Sequence, residues 1–151
     1  MLVKNLQLND YRNYTYYKTD FDPNLNIIIG KNGIGKTNIL ESIIVVSNAK
    51  SFRTITDQNL IKKGKEYLKI ELESENNIYK VVINQKTKSL YINDKLAKRT
   101  SDYIGKLNAI LFKPSDLEIY TTSPSERRKI LDLEIGKINN NYLRNLLKYN
   151  F

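Results

Sequence analysis

The octapeptide Gly30-Lys31-Asn32-Gly33-Ile34-Gly35-Lys36-Thr37 constrains this chain more than any other feature, because it fits G-x-x-x-x-G-K-[ST] without a mismatch. Each residue type in it has a physical reason. Gly30, Gly33 and Gly35 let the backbone take positive φ and approach a ligand with no Cβ in the way. The N–H groups of the loop, running through Lys31, Asn32 and Ile34, can then turn inward as a nest for an anion. A helix opening at the end of the loop would present its unpaired N–H groups, roughly half a positive charge, to the same anion. Lys36 is expected to reach the β- and γ-phosphates of ATP, and the Thr37 hydroxyl to ligate Mg²⁺.

Such a loop belongs between a strand and a helix, and the flanking patterns supply both. Leu25–Ile29 is a short β-branched run, expected as a strand buried on both faces of a parallel or mixed sheet. Lys36–Asn48 carries an apolar stripe at Ile39, Ile43, Ile44 and Val46, which predicts a helix. Upstream, imperfect alternation over residues 2–9 predicts a strand. A second strand is expected near Tyr14–Phe21, closed by the turn Asp22-Pro23-Asn24. Downstream, Leu68, Ile70, Leu72, then Tyr79, Val81, Ile83, then Leu90, Ile92 alternate and predict an antiparallel meander between Tyr67 and Ile92. Ala109–Phe112 reads as a further buried strand. Ser123-Pro124-Ser125-Glu126 has the cap, the first-turn proline and the third-position acid of a helix start. Apolar spacing from Leu131 to Tyr149 continues it, with a break expected at Asn139-Asn140-Asn141.

Composition narrows the chemistry. The 151 residues suffice for one domain with a core. The chain has no cysteine and no histidine, which removes disulfides, thiolate zinc sites, Ser-His-Asp catalysis and any imidazole switch. No apolar run approaches the roughly 18 residues that would span a bilayer, and the start lacks a signal-peptide core, so a cytoplasmic protein without membrane contact is expected. The net charge of +9 leaves two readings open: attraction to phosphate, in nucleotide or nucleic acid, or the lysine-rich drift of AT-rich coding. The basic turn Lys62-Lys63-Gly64-Lys65 has the same two readings. Tyr91 and Tyr103 could stack on bases or simply fill a sheet face.

Several blocks outside the loop resemble the RecF family. They are Leu6-x-Leu8-x-x-Tyr11-Arg12-Asn13-Tyr14, the run Leu25–Ile43 containing Thr37-Asn38-Ile39-Leu40-Glu41, Ser51-Phe52-Arg53, Leu111–Leu117, and Ser123-Pro124-Ser125-Glu126-Arg127-Arg128-x-x-Leu131-Asp132. The resemblance implies an α/β P-loop NTPase of ABC/SMC-head type. Residues 1–122 would form the N-terminal part of the head, with a mixed sheet and an antiparallel meander. Residues 123–151 would be helices leading into a helical arm. It also implies a recombination and repair ATPase, linked to the SOS response, that dimerises on ATP. Such a protein would bind single-stranded and duplex DNA at gap junctions and assist recombinase loading with RecO and RecR.

By the same resemblance Arg12 would contact the nucleotide and Asn32 would face the γ-phosphate. Asp116 would stand near a Mg²⁺-sensing loop, where Ser115 replaces the acidic residue of the family pattern, or lie in a plain surface turn, the reading that this replacement favours. Arg127 and Arg128 would touch phosphate or lie solvated. Hydrolysis in such heads needs an apolar strand ending in acidic residues, and a partner head closes through an S-G-G turn. Neither occurs in these residues, so an N-terminal piece with negligible turnover of its own is expected. The alternatives are another SMC/ABC-type head, or a DNA- or partner-binding module in which nucleotide is a structural ligand.

Overall fold

A computed structural model describes residues 2–114, 116 and 123–149. Its frame is a six-stranded sheet in the order β2-β1-β3-β4-β5-β6. The strands are β1 (Val3–Tyr11), β2 (Tyr14–Asp20), β3 (Tyr67–Ser74), β4 (Ile78–Asn84), β5 (Lys88–Ile92) and β6 (Lys95–Leu96). Every ladder in it is antiparallel.

The period-two pattern explains which face is buried. Leu8 of β1 sits opposite Ile70, Ile70 opposite Val81, and Val81 opposite Leu90, so one row of branched side chains runs across four strands. Leu6, Leu72 and Tyr79 form a second such row. All seven are buried. Helix α1 (Lys36–Asn48) covers this face, setting Ile39, Val45 and Val46 into the same core as β3 and β4. Burial of each such side chain stabilises the fold by about 1.5–3 kcal/mol before chain entropy is counted.

The short helix α2 (Thr100–Tyr103) packs beside β5 and buries Tyr103, which closes the base-stacking reading of that residue. Tyr91 remains half-buried on the sheet under the Lys80 ammonium. Helices α3 (Pro124–Ile138) and α4 (Asn140–Tyr149) meet at the predicted break. Ser123 caps α3 with the full reciprocal capping box to Glu126. The pair is seated on the sheet side at two points. Gly105, at φ +82, passes so close to Lys137 that an added Cβ would lie 2.2 Å from its carbonyl oxygen. Arg144 of α4 pairs with Asp102 of α2 at 3.0 Å.

Two expected strands are corrected. Neither Leu25–Ile29 nor Ala109–Phe112 lies in a strand, so the sheet is antiparallel throughout the described residues and not mixed. Both runs are irregular and largely open to solvent, with Ile29 85% and Ile110 93% exposed. The three isoleucines of Leu25–Ile29 favour a strand conformation, but a strand also needs a partner for its hydrogen-bonding edges, and no described strand pairs with either run. Among the described residues, no helix is long and apolar enough to cross a membrane.

Candidate functional site

The loop before α1 has the backbone that its glycines allow: φ is +156 at Gly30, +82 at Gly33 and +116 at Gly35. Gly35 stands at the N-cap of α1 in the left-handed region, with no side chain capping the helix. Its lack of a Cβ is also a matter of space. A Cβ there would lie 2.7 Å from the Tyr14 hydroxyl and 2.9 Å from Asn13 Nδ2. The Lys36 ammonium folds over the loop and donates to the carbonyls of Gly30 (2.7 Å) and Lys31 (2.9 Å).

A cleft of about 370 Å³ opens at this point, lined by Asn32, Gly33, Gly35, Lys36, Thr37, Asn38 and Arg53. Two cations, a hydroxyl, two amides and backbone groups line it, with no carboxylate. That donor set suits a polyphosphate, and the Thr37 hydroxyl is a hard oxygen of the kind Mg²⁺ takes. The structure therefore brings the loop residues, Lys36 and Thr37 together as their spacing predicts.

Arg12 lies one step away. It lines a neighbouring cavity of about 580 Å³ together with Arg53, Thr54, Gln58, Asn59, Ile61 and Lys63. Arg53 is the wall common to both cavities. Arg12 sits in the two-residue connection between β1 and β2 at φ +54, with its N–H donating to the Leu60 carbonyl. Its guanidinium forks onto Glu41, with Nε to Oε2 at 3.0 Å and an Nη to Oε1 at 2.6 Å, and the other Nη donates to the Asn59 carbonyl.

Glu41 is the residue that sequence reasoning missed. It is fully buried on α1, accepts a 2.6 Å bond from the Ser51 hydroxyl, and pairs at 3.5 Å with Arg53. Burial pushes its carboxyl up, but the bonds from Arg12 and Ser51 and the Arg12 charge outweigh that and hold it below the usual carboxylate range. Burial, then the nearby Glu41 charge, drives the Tyr11 phenol well above its ordinary value. A second chain of contacts reaches the loop itself. Arg53 donates to Asn38 Oδ1, Asn38 Nδ2 to Asn13 Oδ1, and Asn13 Nδ2 to the Ile34 carbonyl, each at 2.8 Å. Blocks far apart in sequence, around Arg12, Asn38 and Ser51, thus converge on one face of the loop.

The other predicted residues fall elsewhere. Asp116 accepts from the Lys113 N–H and pairs with its ammonium in a local turn, and Ser115 lies outside the described residues. In the basic turn, Lys62 donates to Thr15 and the Asn13 carbonyl, Lys65 faces Asp10, and Lys63 reaches the Arg12 cavity. Arg127 and Arg128 are exposed in the first turns of α3.

A phosphate-type loop feeding a helix, braced from one side by an antiparallel lobe, defines a P-loop α/β lobe of the ABC/SMC head type. Comparison with known proteins agrees. The family described as "RecF/RecN/SMC N terminal domain" matches residues 2–118, and the chain belongs to that family. It is 42% identical over 153 aligned positions to the DNA replication and repair protein RecF of Bacillus subtilis (strain 168), covering 99% of this chain and 41% of that protein. The RecF of Geobacillus kaustophilus (strain HTA426) is 39% identical over the same shares of the two chains. A solved structure of the recombination mediator protein RecF-ATPrS in the RecFOR pathway matches with TM-score 0.92 at 32% identity, over 98% of this chain and 42% of that one. One of RecF-ATP in the same pathway matches with TM-score 0.90 at 32% identity, over the same shares. The chain thus spans about two fifths of the length of these relatives.

Proposed function

We propose that these residues are the nucleotide-gripping lobe of a RecF-like recombination and repair ATPase. The observation that carries this is the loop Gly30–Thr37 with Lys36 folded over it and Thr37 opening α1, in a carboxylate-free cleft. Likeness to solved structures of RecF-ATP and RecF-ATPrS supports ATP as the nucleotide. The backbone N–H groups of the loop and the α1 N-terminus would cradle the phosphates, Lys36 would turn from the carbonyls to the β- and γ-oxygens, and Thr37 would hold Mg²⁺. The bound metal would neutralise phosphate charge. Asn32 would face the γ-phosphate. Arg12 and Arg53, in the adjoining cavity, would receive the rest of the nucleotide.

In the full-length protein this lobe would dimerise on ATP and bind single-stranded and duplex DNA at gaps. It would act in the cytoplasm with RecO and RecR to load recombinase in the SOS response. Residues 1–122 would be the head part and residues 123–151 the start of the arm. Binding, not turnover, is the share of the cycle assigned to these residues, since the sequence holds no apolar strand ending in an acidic pair.

Calorimetry of Mg²⁺-ATP binding to full-length protein carrying Lys36→Ala tests the site. Loss of binding with an unchanged melting temperature is expected, and an unchanged affinity refutes the assignment. Comparing ATP with a non-hydrolysable analogue in DNA binding separates an ATP-switched binder from a module that uses nucleotide as a structural ligand.

A further inference from the structure

The loop is braced by Asn13 at the turn leading into β2, the first strand in the sheet order. At the opposite edge, β5 and β6 lead through Lys98 and Arg99 into α2, and α4 packs onto α2. Between the Arg99–Ser101 segment and α4 runs a groove of about 680 Å³. Its lining carries three cations, Arg99, Arg144 and Lys148, together with Thr100, Asn141 and Asn145, and no carboxylate. Asp102, beside it, accepts from Arg144 at 3.0 Å and fixes that side chain along the groove wall. Arg99 and Lys148 are exposed and have no ion pair among the described residues.

We infer that this groove is a second phosphate site, separate from the nucleotide loop, and that it holds the backbone of duplex DNA. Cations with amide and hydroxyl donors are the chemistry of phosphate contact without base readout. The layout selects a polymer over a single nucleotide. Asn141, Arg144, Asn145 and Lys148 repeat at three- and four-residue steps along one stripe of α4. That stripe is about 10 Å long at 1.5 Å per residue. Successive phosphates of one DNA strand rise about 3.4 Å along the duplex axis, so a stripe lying parallel to that axis spans about three of them. A free polyphosphate, by contrast, is gripped by donors converging on one centre, as proposed for the Gly30–Thr37 loop. The sequence shows none of this in advance, because Arg99 and Lys148 are far apart in the chain and each reads as a solvated lysine or arginine.

The inference rests on the DNA-binding reading above, and its test separates the two. Fluorescence anisotropy of a labelled duplex of arbitrary sequence, with ATP present, is measured across a salt series for full-length protein. The proteins compared are wild type, R99Q/K148Q and R99K/K148R. Neutralising one cation that touches a phosphate reduces the slope of log affinity against log salt by about 0.9. R99Q/K148Q should therefore flatten the slope by about 2 and weaken binding about tenfold or more at low salt, equally for unrelated sequences. R99K/K148R should restore both, and Mg²⁺-ATP affinity should not change in either. A wild-type slope and affinity in R99Q/K148Q overturn the groove while leaving the DNA reading intact. A wild-type protein that binds no duplex overturns both. ATP bound by Lys36→Ala protein and lost on adding R99Q/K148Q would assign the groove to free nucleotide and overturn the proposal.

Discussion

Replacing Glu41 with glutamine changes one oxygen for an NH₂ of nearly the same size, so its effect isolates charge and hydrogen bonding from volume. The carboxylate is 0% exposed and takes two bonds from Arg12 and one from Ser51. The amide can accept at only one end, and its NH₂ would face a guanidinium N–H of Arg12 in either orientation, with the Ser51 hydroxyl as a second donor at the Oε1 position. Breaking a buried ion pair from one side typically costs about 3–5 kcal/mol, because the partner charge stays behind without compensation. Arg12 is 21% exposed and keeps the Asn59 carbonyl, so the low end applies, about 3 kcal/mol. At about 2–4 °C per kcal/mol for a chain of this size, the melting temperature should fall by about 6–12 °C.

Thermal and urea unfolding followed by circular dichroism read this directly. A double-mutant cycle with Arg12→Met gives the coupling, expected at about 2 kcal/mol. Removing both partners should cost far less than the two single losses together, since paired charges replaced together are often near neutral. A Glu41→Gln loss below about 1 kcal/mol, within the range of an exposed pair, would refute the reasoning. So would strict additivity with Arg12→Met.

Three further outcomes follow from the same geometry. Gly35→Ala meets Tyr14 and Asn13 at under 3 Å as well as a φ of +116, so it should lose more than about 2 kcal/mol and all Mg²⁺-ATP binding. Gly33→Ala has open space and only the left-handed penalty of about 1–2 kcal/mol; equal losses in urea melts would contradict this. Because the folded Glu41 pKa lies below its ordinary 4.5, the native state binds that proton less readily than the unfolded chain. Its stabilisation is therefore complete above about pH 4.5 and drains as pH falls through the lower folded value. Glu41→Gln should flatten that acid limb, and an unaltered limb by pH-dependent melting would count against the pairing. Gly105→Ala would force the Lys137 carbonyl away and release α3 and α4 from the sheet edge. Limited proteolysis should then cut within residues 123–149 while β1–β5 stay resistant, and an unchanged digest would oppose that seating.

The loop was legible from sequence because phosphate chemistry tolerates few residue types at those eight positions. The meander was equally legible, since Leu68 to Leu90 alternate for a reason that lies in the strand itself. Leu25–Ile29 and Ala109–Phe112 show where that logic stops: a short apolar run favours a strand, but pairing is a relation with another segment that no local pattern contains. Glu41 was hidden for the opposite reason. A glutamate on an amphipathic helix ordinarily reads as part of the wet face, and only its folded neighbours, Arg12, Ser51 and Arg53, reveal that it points inward.

The brace from Arg53 through Asn38 and Asn13 to the Ile34 carbonyl has an implication for engineering. The octapeptide is held at the Ile34 carbonyl by Asn13, 17 positions before its first residue, and Asn13 is held in turn, through the adjacent Asn38, by Arg53, 16 positions after its last. Grafted alone into a foreign scaffold, it would carry its donors without the scaffolding that aims them. The transferable unit is the whole antiparallel lobe.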